Sequence, residues 1–263
     1  MSFYSISQLL AILGITVLGP VLSPPVSTTP IKIEEVLKKL DAHYYYPHKK
    51  GLVNISTLIQ WEEQDMTKGD EAILKNPSFQ LYGKFKDGIF KKSFMIKENR
   101  VSLSDDEKNQ YLRKLNNYLD VFLPKTLREK FYKHRGKAKV FGKEKMLLRF
   151  ESVDSLDMGK HYELLVDINK WRLAGLRIRQ KHEPHSVKGK FVYMRKEGQW
   201  VVTESLSNFL IDGRKYSEKT EYTYKKIESF WLITKVKQTL QQDGQNVLLH
   251  RFLLSDYKIN SIN

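Results

Sequence analysis

From Lys137 onward the apolar residues of this chain recur at every second position, in segments such as MLLRF, HYELLVDI, KFVYMR, FWLITKVKQTL and VLLHRFLLSDYKI. Period two is the spacing of a strand that buries one face. Between segments stand the turn pairs Glu197-Gly198 and Asp243-Gly244, residues that accept the positive φ of a two-residue hairpin. Asp167-Ile168-Asn169-Lys170 reads as a third turn. Strands joined in succession by tight turns pair antiparallel, so this half of the chain specifies an antiparallel sheet.

Upstream the pattern is mixed. Ile33, Val36, Leu37, Leu40 and Tyr44 fall at helical spacing behind Thr29, a cap residue, and Pro30, suited to the first helical position. They predict an amphipathic helix ending before Pro47 and Gly51. Val53, Ile55, Thr57, Ile59 and Trp61 then alternate as a strand. Phe79, Leu81 and Phe85 line a second, and Asp87-Gly88 turns the chain into a third over Ile89–Lys97. Ser104-Asp105-Asp106-Glu107 has the capping-box pattern. The helix it opens carries Tyr111, Leu112, Leu115, Tyr118, Leu119 and Phe122 on one face, and Pro124 begins a short helix through Phe131. The expected class is α+β, mostly β: a curved antiparallel sheet, an open half-barrel, of about 10–11 strands with an N-terminal helix and a mid-chain helical insertion.

With 263 residues, 41% of them hydrophobic, the chain can bury a large core without disulfides, and it has no cysteine to form one. Residues 29–263 read as a single β-rich domain. Leu9–Leu22 is an apolar run of about 14 residues, short of the roughly 20 a membrane-spanning helix needs. A Pro-rich uncharged stretch follows it. Residues 1–28 therefore read as a signal peptide, or else a retained hydrophobic segment, plus linker. Export to the periplasm or cell envelope is expected, with a tether to the inner membrane if the segment is not cleaved.

The search for chemistry finds near misses. His182-Glu183-Pro184-His185 lacks the spacing that puts two His on one helical turn, and Pro184 argues for a loop, so no metal site is expected. Gly136 to Lys143 has five residues between its glycines where a phosphate-binding loop has four, with Glu144 where Ser or Thr is needed. Glu62, Glu63 and Asp65, and Asp105 with Asp106, are explained by turns and helix capping. Asn54-Ile55-Ser56 matches a glycosylation sequon but sits in a half-buried strand. No nucleophile elbow or dinucleotide fingerprint occurs, so neither enzyme nor cofactor is expected.

Charge is the remaining signal. Lys and Arg number 45 against 30 Asp and Glu, a net +15. The excess is densest between Lys125 and Arg149, where Lys130, Lys133, Arg135, Lys137 and Lys139 form a candidate surface for an anionic membrane or acidic partner. Tyr132 and Phe141 among them would suit stacked bases, but export argues against a nucleic-acid partner.

The element order, the helix IEEVLKKLDAHYYY and the ending SDYKIN resemble the LolA-like superfamily of periplasmic lipoprotein carriers. That resemblance implies an open β-barrel with helices over its concave side and a lipid or acylated protein as partner. It transfers no functional residue. One face of the strands supplies the expected lining: Trp61, Phe79, Leu81, Phe94, Met146, Leu148, Phe150, Leu164, Val166, Phe230 and Leu232. The helix from about Asp105 to Phe122 would be the lid. Alternation shows that such a face is apolar, and leaves open whether it is empty or filled by the protein's own helices.

Overall fold

The computed structural model describes residues 32–68, 73–86, 89–97, 103–116, 118–153 and 160–261. The segment read as a signal peptide, the Thr29-Pro30 helix start and the expected Asp87-Gly88 turn lie outside them. The elements begin with α1 (Ile33–His43), a 3₁₀ turn (Pro47–Lys50), β1 (Leu52–Asp65), β2 (Ile73–Lys75), β3 (Ser78–Lys86) and β4 (Ile89–Lys97). Three helices follow, α2 (Asp105–Asn116), α3 (Leu119–Phe122) and α4 (Leu127–Phe131). Then come β5 (His134–Phe141), β6 (Lys145–Ser152), β7 (His161–Asp167), β8 (Arg172–Arg179) and β9 (Ser186–Lys196). The chain ends with β10 (Gln199–Ile211), β11 (Arg214–Ile227), β12 (Phe230–Gln242) and β13 (Gln245–Ser261).

The class is as expected, α+β and mostly β. The hydrogen-bonded order is β4-β3-β1-β13-β12-β11-β10-β9-β8-β7-β6-β5, an unclosed sheet, with β2 pairing off the path on β1. Thirteen strands are described where about 10–11 were expected, partly because β2 is too short to show a period. The hairpin turns form as read. Gln199 pairs with Lys196 across Glu197 and Gly198, at φ 50° and 79°. Gln242 pairs with Gln245 across Asp243 and Gly244, at φ 49° and 88°. Asp212-Gly213, at φ 49° and 74°, makes a further hairpin of the same chemistry.

α1 is described from Ile33 with Lys32 as its cap position. The later helices depart from the reading. The mid-chain helix is broken into α2 and α3. The next helix starts three residues past Pro124, at Leu127, and its cap Thr126 accepts from Glu129 N at 3.1 Å while the Glu129 carboxylate accepts from Thr126 N at 2.7 Å. This capping box satisfies two orphan donors of a five-residue helix that has little else to start it. Thr126→Ala is expected to cost about 1 kcal/mol in urea unfolding. The Ser104–Glu107 box is present as predicted, with Ser104 N donating to Glu107 at 2.8 Å.

By contact the described chain divides into two compact units. One holds Tyr46–Pro124 and the residues from Lys219 on; the other holds the residues up to Tyr45 and Lys125–Glu218. In the first, β1 lies between β3 and β13, so the early strands are completed by the last. Its inner face carries Ile59, Trp61, Phe79, Leu81 and Phe252, all buried. In the second, the face of β6, β7 and β8 buries Leu148, Phe150, Leu164, Val166 and Ile178.

Candidate functional site

In the first unit the inner face is an aromatic floor. Register pairs Trp61 with Phe252, Ile59 with Phe79 and Leu81 with Phe94, so the strand alternation delivers these side chains to one side. Trp61 and Phe252 stack with centroids 5.5 Å apart, and His250 lies 5.8 Å from Trp61. Tyr118 covers Phe252 at 4.5 Å, Phe122 sits 5.4 Å from Phe252, and Tyr111 stands edge-on to Trp61 at 6.4 Å.

Polar groups help to fix the roof. The Tyr118 hydroxyl donates to Gln238 Oε1 at 2.8 Å. Lys92, with a side chain only 5% exposed, reaches Asp120 at 3.1 Å and also donates to the Leu123 carbonyl. These bonds hold α3 and the segment after it. α2 is held far less: of its twelve residues only Leu115 is buried, Tyr111 and Leu112 are half-buried, and its first turn is exposed. One fully buried Leu contributes roughly 1.5–3 kcal/mol, and an isolated helix of this length is marginal in water. The seat of α2 is therefore weak.

The floor contains two displaced titrations. Burial, with a smaller contribution from Lys114, pushes His250 down to about 4. Its Nδ1 accepts from Trp61 Nε1 at 3.1 Å, as a neutral ring must. Glu63 lies 3.7 Å from that ring, too far for a hydrogen bond, and the neutral ring offers it no charge. Burial raises its carboxyl above the usual range; Lys114 works against that rise and Asp65 adds to it.

The inner face of the second unit is sealed by comparison. Phe150 stacks on Phe131 of α4 at 4.2 Å and 15°. Gly136 permits this approach, because a Cβ there would stand 2.9 Å from Phe150 Cε1 and 3.1 Å from Ile33 Cγ2. α1 buries Val36, Leu37 and Leu40. The Asp41 carboxylate accepts from Leu127 N at 2.8 Å and Arg128 N at 3.1 Å, and Arg128 pairs with Glu34. Three buried apolar side chains and three charge-assisted contacts hold α1 where α2 has one buried side chain.

The expected lining residues thus fall into separate places. Trp61, Phe79, Leu81 and Phe94 come together on the first floor, all buried except the half-buried Phe94. Phe230 and Leu232 are buried on β12 but stand about 14–20 Å along that strand from Val236, the partner of Phe252. Met146, Leu148, Phe150, Leu164 and Val166 are together in the second unit, where Met146 pairs with Val166 and Leu148 with Leu164. The reading missed His250, Lys92 and Asp120. Two of them carried a signal: His250 alternates in phase with Phe252, and Lys92 with Phe94, so each polar side chain was assigned to an apolar face and needed a partner there.

The basic residues have a simple geometry. Along β5, Arg135, Lys137, Lys139 and Phe141 are exposed while the intervening positions are half-buried, and β5 ends the strand order. Lys139 stands 5.3 Å over Phe141 and Lys133 5.6 Å over Tyr132. Lys130 is half-buried on α4. His182 to His185 form the loop between β8 and β9, closed by Gln180 N donating to the His185 carbonyl at 3.0 Å. Among the described residues no group of three or more His, Asp or Glu could hold a metal, and no helix is long and apolar enough to cross a membrane.

No protein-family model and no curated protein matches the sequence. Among solved structures the chain is similar to a domain described as an outer membrane lipoprotein-sorting protein from Vibrio parahaemolyticus, at 11% identity over 86% of this chain and 91% of that one, with a TM-score of 0.39. It is also similar to a LolA superfamily protein from Nitrosomonas europaea, at 8% identity over 89% and 96%, TM-score 0.32. A third is the MucA/MucB complex of Pseudomonas aeruginosa, at 9% identity over 87% and 99%, TM-score 0.19. At these identities and TM-scores the likenesses assign neither a family nor a role to this chain.

Proposed function

We propose that this chain is a non-enzymatic cell-envelope protein that binds a lipid or lipid-modified ligand on the aromatic floor of its first unit, with α2 as the movable cover. The observation that supports this reading is the contrast in seating: an apolar floor of Trp61, Phe79 and Phe252 lies under a twelve-residue helix that buries one side chain. Lifting α2 would expose a greasy surface that an acyl chain can cover at little cost. Export, with Leu9–Leu22 as signal or as tether, belongs to the same proposal. The lining proposed from the sequence is narrowed to Trp61, Phe79, Leu81 and Phe94, since the residues of the second unit are sealed and Phe230 and Leu232 stand farther along β12.

Native mass spectrometry of the purified full chain, as isolated and after exposure to phospholipids and an acylated peptide, tests it. The expected result is a bound lipid, with hydrogen exchange altered in α2 and unchanged in α1. A chain that is ligand-free and stays so when offered lipids counts against it.

A second reading rests on β5. Three cations and an exposed aromatic ring on one side of the last strand in the order form a docking strip for an anionic partner. Edge lysines also keep a strand from pairing with another chain. Charge reversal at Lys133, Arg135 and Lys137 separates the two readings: it abolishes docking under the second and leaves lipid uptake intact under the first.

A further inference from the structure

The opposite face of the first unit carries a groove that the floor beneath α2 does not use. Across β4, β3, β1 and β13 the register lines up Lys91, Lys84, Asn54 and Asn260 in one row. The neighbouring row is Ser93, Tyr82, Ser56 and Lys258. Both rows line a groove of about 500 Å³. Lys84 and Lys91 stand directly opposite each other, an arrangement in which like charges repel. All three lysines are exposed, no carboxylate lines the groove, and among the described residues none of the three has an ion pair. An anion seated between these facing lysines would relieve their repulsion.

What lies beside the lysines identifies the source of that anion. Tyr82 is 43% exposed, and in the next row Met95, opposite Gln80, is 50% exposed. One row further Leu253, opposite Gln60, is 39% exposed. Cations on one side and large apolar side chains on the other are what a surface presents when it rests at the headgroup level of a bilayer. We propose that this groove holds the phosphate of an anionic lipid headgroup, seating the first unit on a membrane with Tyr82, Met95 and Leu253 at the interface. The proposal does not rest on the lid reading, since ligand uptake under α2 and docking by this face are measured separately.

The test is cosedimentation of the full chain with phosphatidylcholine vesicles, with and without phosphatidylglycerol. The apolar run Leu9–Leu22 contributes equally to both, so the readout is the preference for anionic vesicles. The expected result is a clear preference that K84Q/K91Q weakens about thirtyfold, the surface attraction of two lysines, and that K137Q/K139Q on β5 retains. M95S/L253S should also weaken it with charge unchanged. Thermal melts establish that each variant folds; should K84Q/K91Q fail to fold, K258Q is expected to show a loss of about fivefold. Free glycerol phosphate separates the sources, because a headgroup site prefers the bilayer and releases the vesicle only weakly to the soluble anion. The proposal is overturned by equal binding to both vesicles, by an undiminished preference in folded K84Q/K91Q, by a preference lost only in K137Q/K139Q, or by full release to free glycerol phosphate.

Discussion

Lys92→Met is expected to destabilise the first unit by about 2–3 kcal/mol and to strip hydrogen-exchange protection from α2 and α3 while α1 keeps its own. Lys92 is 5% exposed and its ammonium group serves both the Asp120 carboxylate and the Leu123 carbonyl. Methionine fills a similar volume, so packing on β4 is nearly conserved and the loss is electrostatic. Removing one member of a fully buried pair costs about 3–5 kcal/mol, but Asp120 is 34% exposed and regains some water, hence the lower figure. The helical roof then keeps the Tyr118–Gln238 bond and its apolar contacts but loses its anchor on β4. Urea unfolding measures the first effect and exchange by mass spectrometry the second. If the roof is a cover, lipid uptake by Lys92→Met should be faster than by the parent; unchanged exchange in α2 and α3 would show that the pair does not hold the roof.

How much of this was legible in the sequence depends on the range of the interaction. The hairpins of β9–β10 and β12–β13 could be read because the turn residues and the period-two flanks are neighbours in the chain, and local chemistry fixes them. The Ser104–Glu107 box is equally local. The placement of β13 against β1 could not be read, because nothing in LVNISTLIQW names FLLSDYKINS as its partner across almost two hundred residues. The same holds for the site. Alternation assigned Trp61, Phe79, Phe150 and Leu164 alike to apolar faces, and they are alike in burial. What separates them is the helix above: α1 buries three side chains and is tied to α4 by Asp41, a long-range contact invisible to periodicity, whereas α2 buries Leu115 alone. Lys92 was visible only as a violation, a cation in phase with Phe94, and such violations were the best pointers to the site.

Acidification is expected to loosen the same floor. The unfolded chain protonates His250 near 6.5, and the folded chain, where burial disfavours the cation, only near 4. The stabilisation is therefore complete above about pH 6.5 and is lost progressively as the pH falls toward 4, by about 3 kcal/mol over the whole interval. Glu63 acts in the opposite sense: its raised carboxyl binds a proton more readily folded than unfolded, which favours the fold at low pH and offsets part of the loss. The histidine has a specific reason to resist protonation besides burial, since Nδ1 accepts from the Trp61 indole and a proton there would set two donors against each other. Urea unfolding between about pH 7 and about pH 5 should show falling stability in the parent and a nearly flat profile in His250→Asn, whose side-chain oxygen can still accept from Trp61. A parent profile as flat as the variant's would mean that the ring is charged or solvated in the folded state. Because His250 packs against Trp61 and Tyr118 at 5.8 and 6.2 Å, a charge there strains floor and roof together, so under the proposed lipid-binding reading release should steepen over the same pH interval.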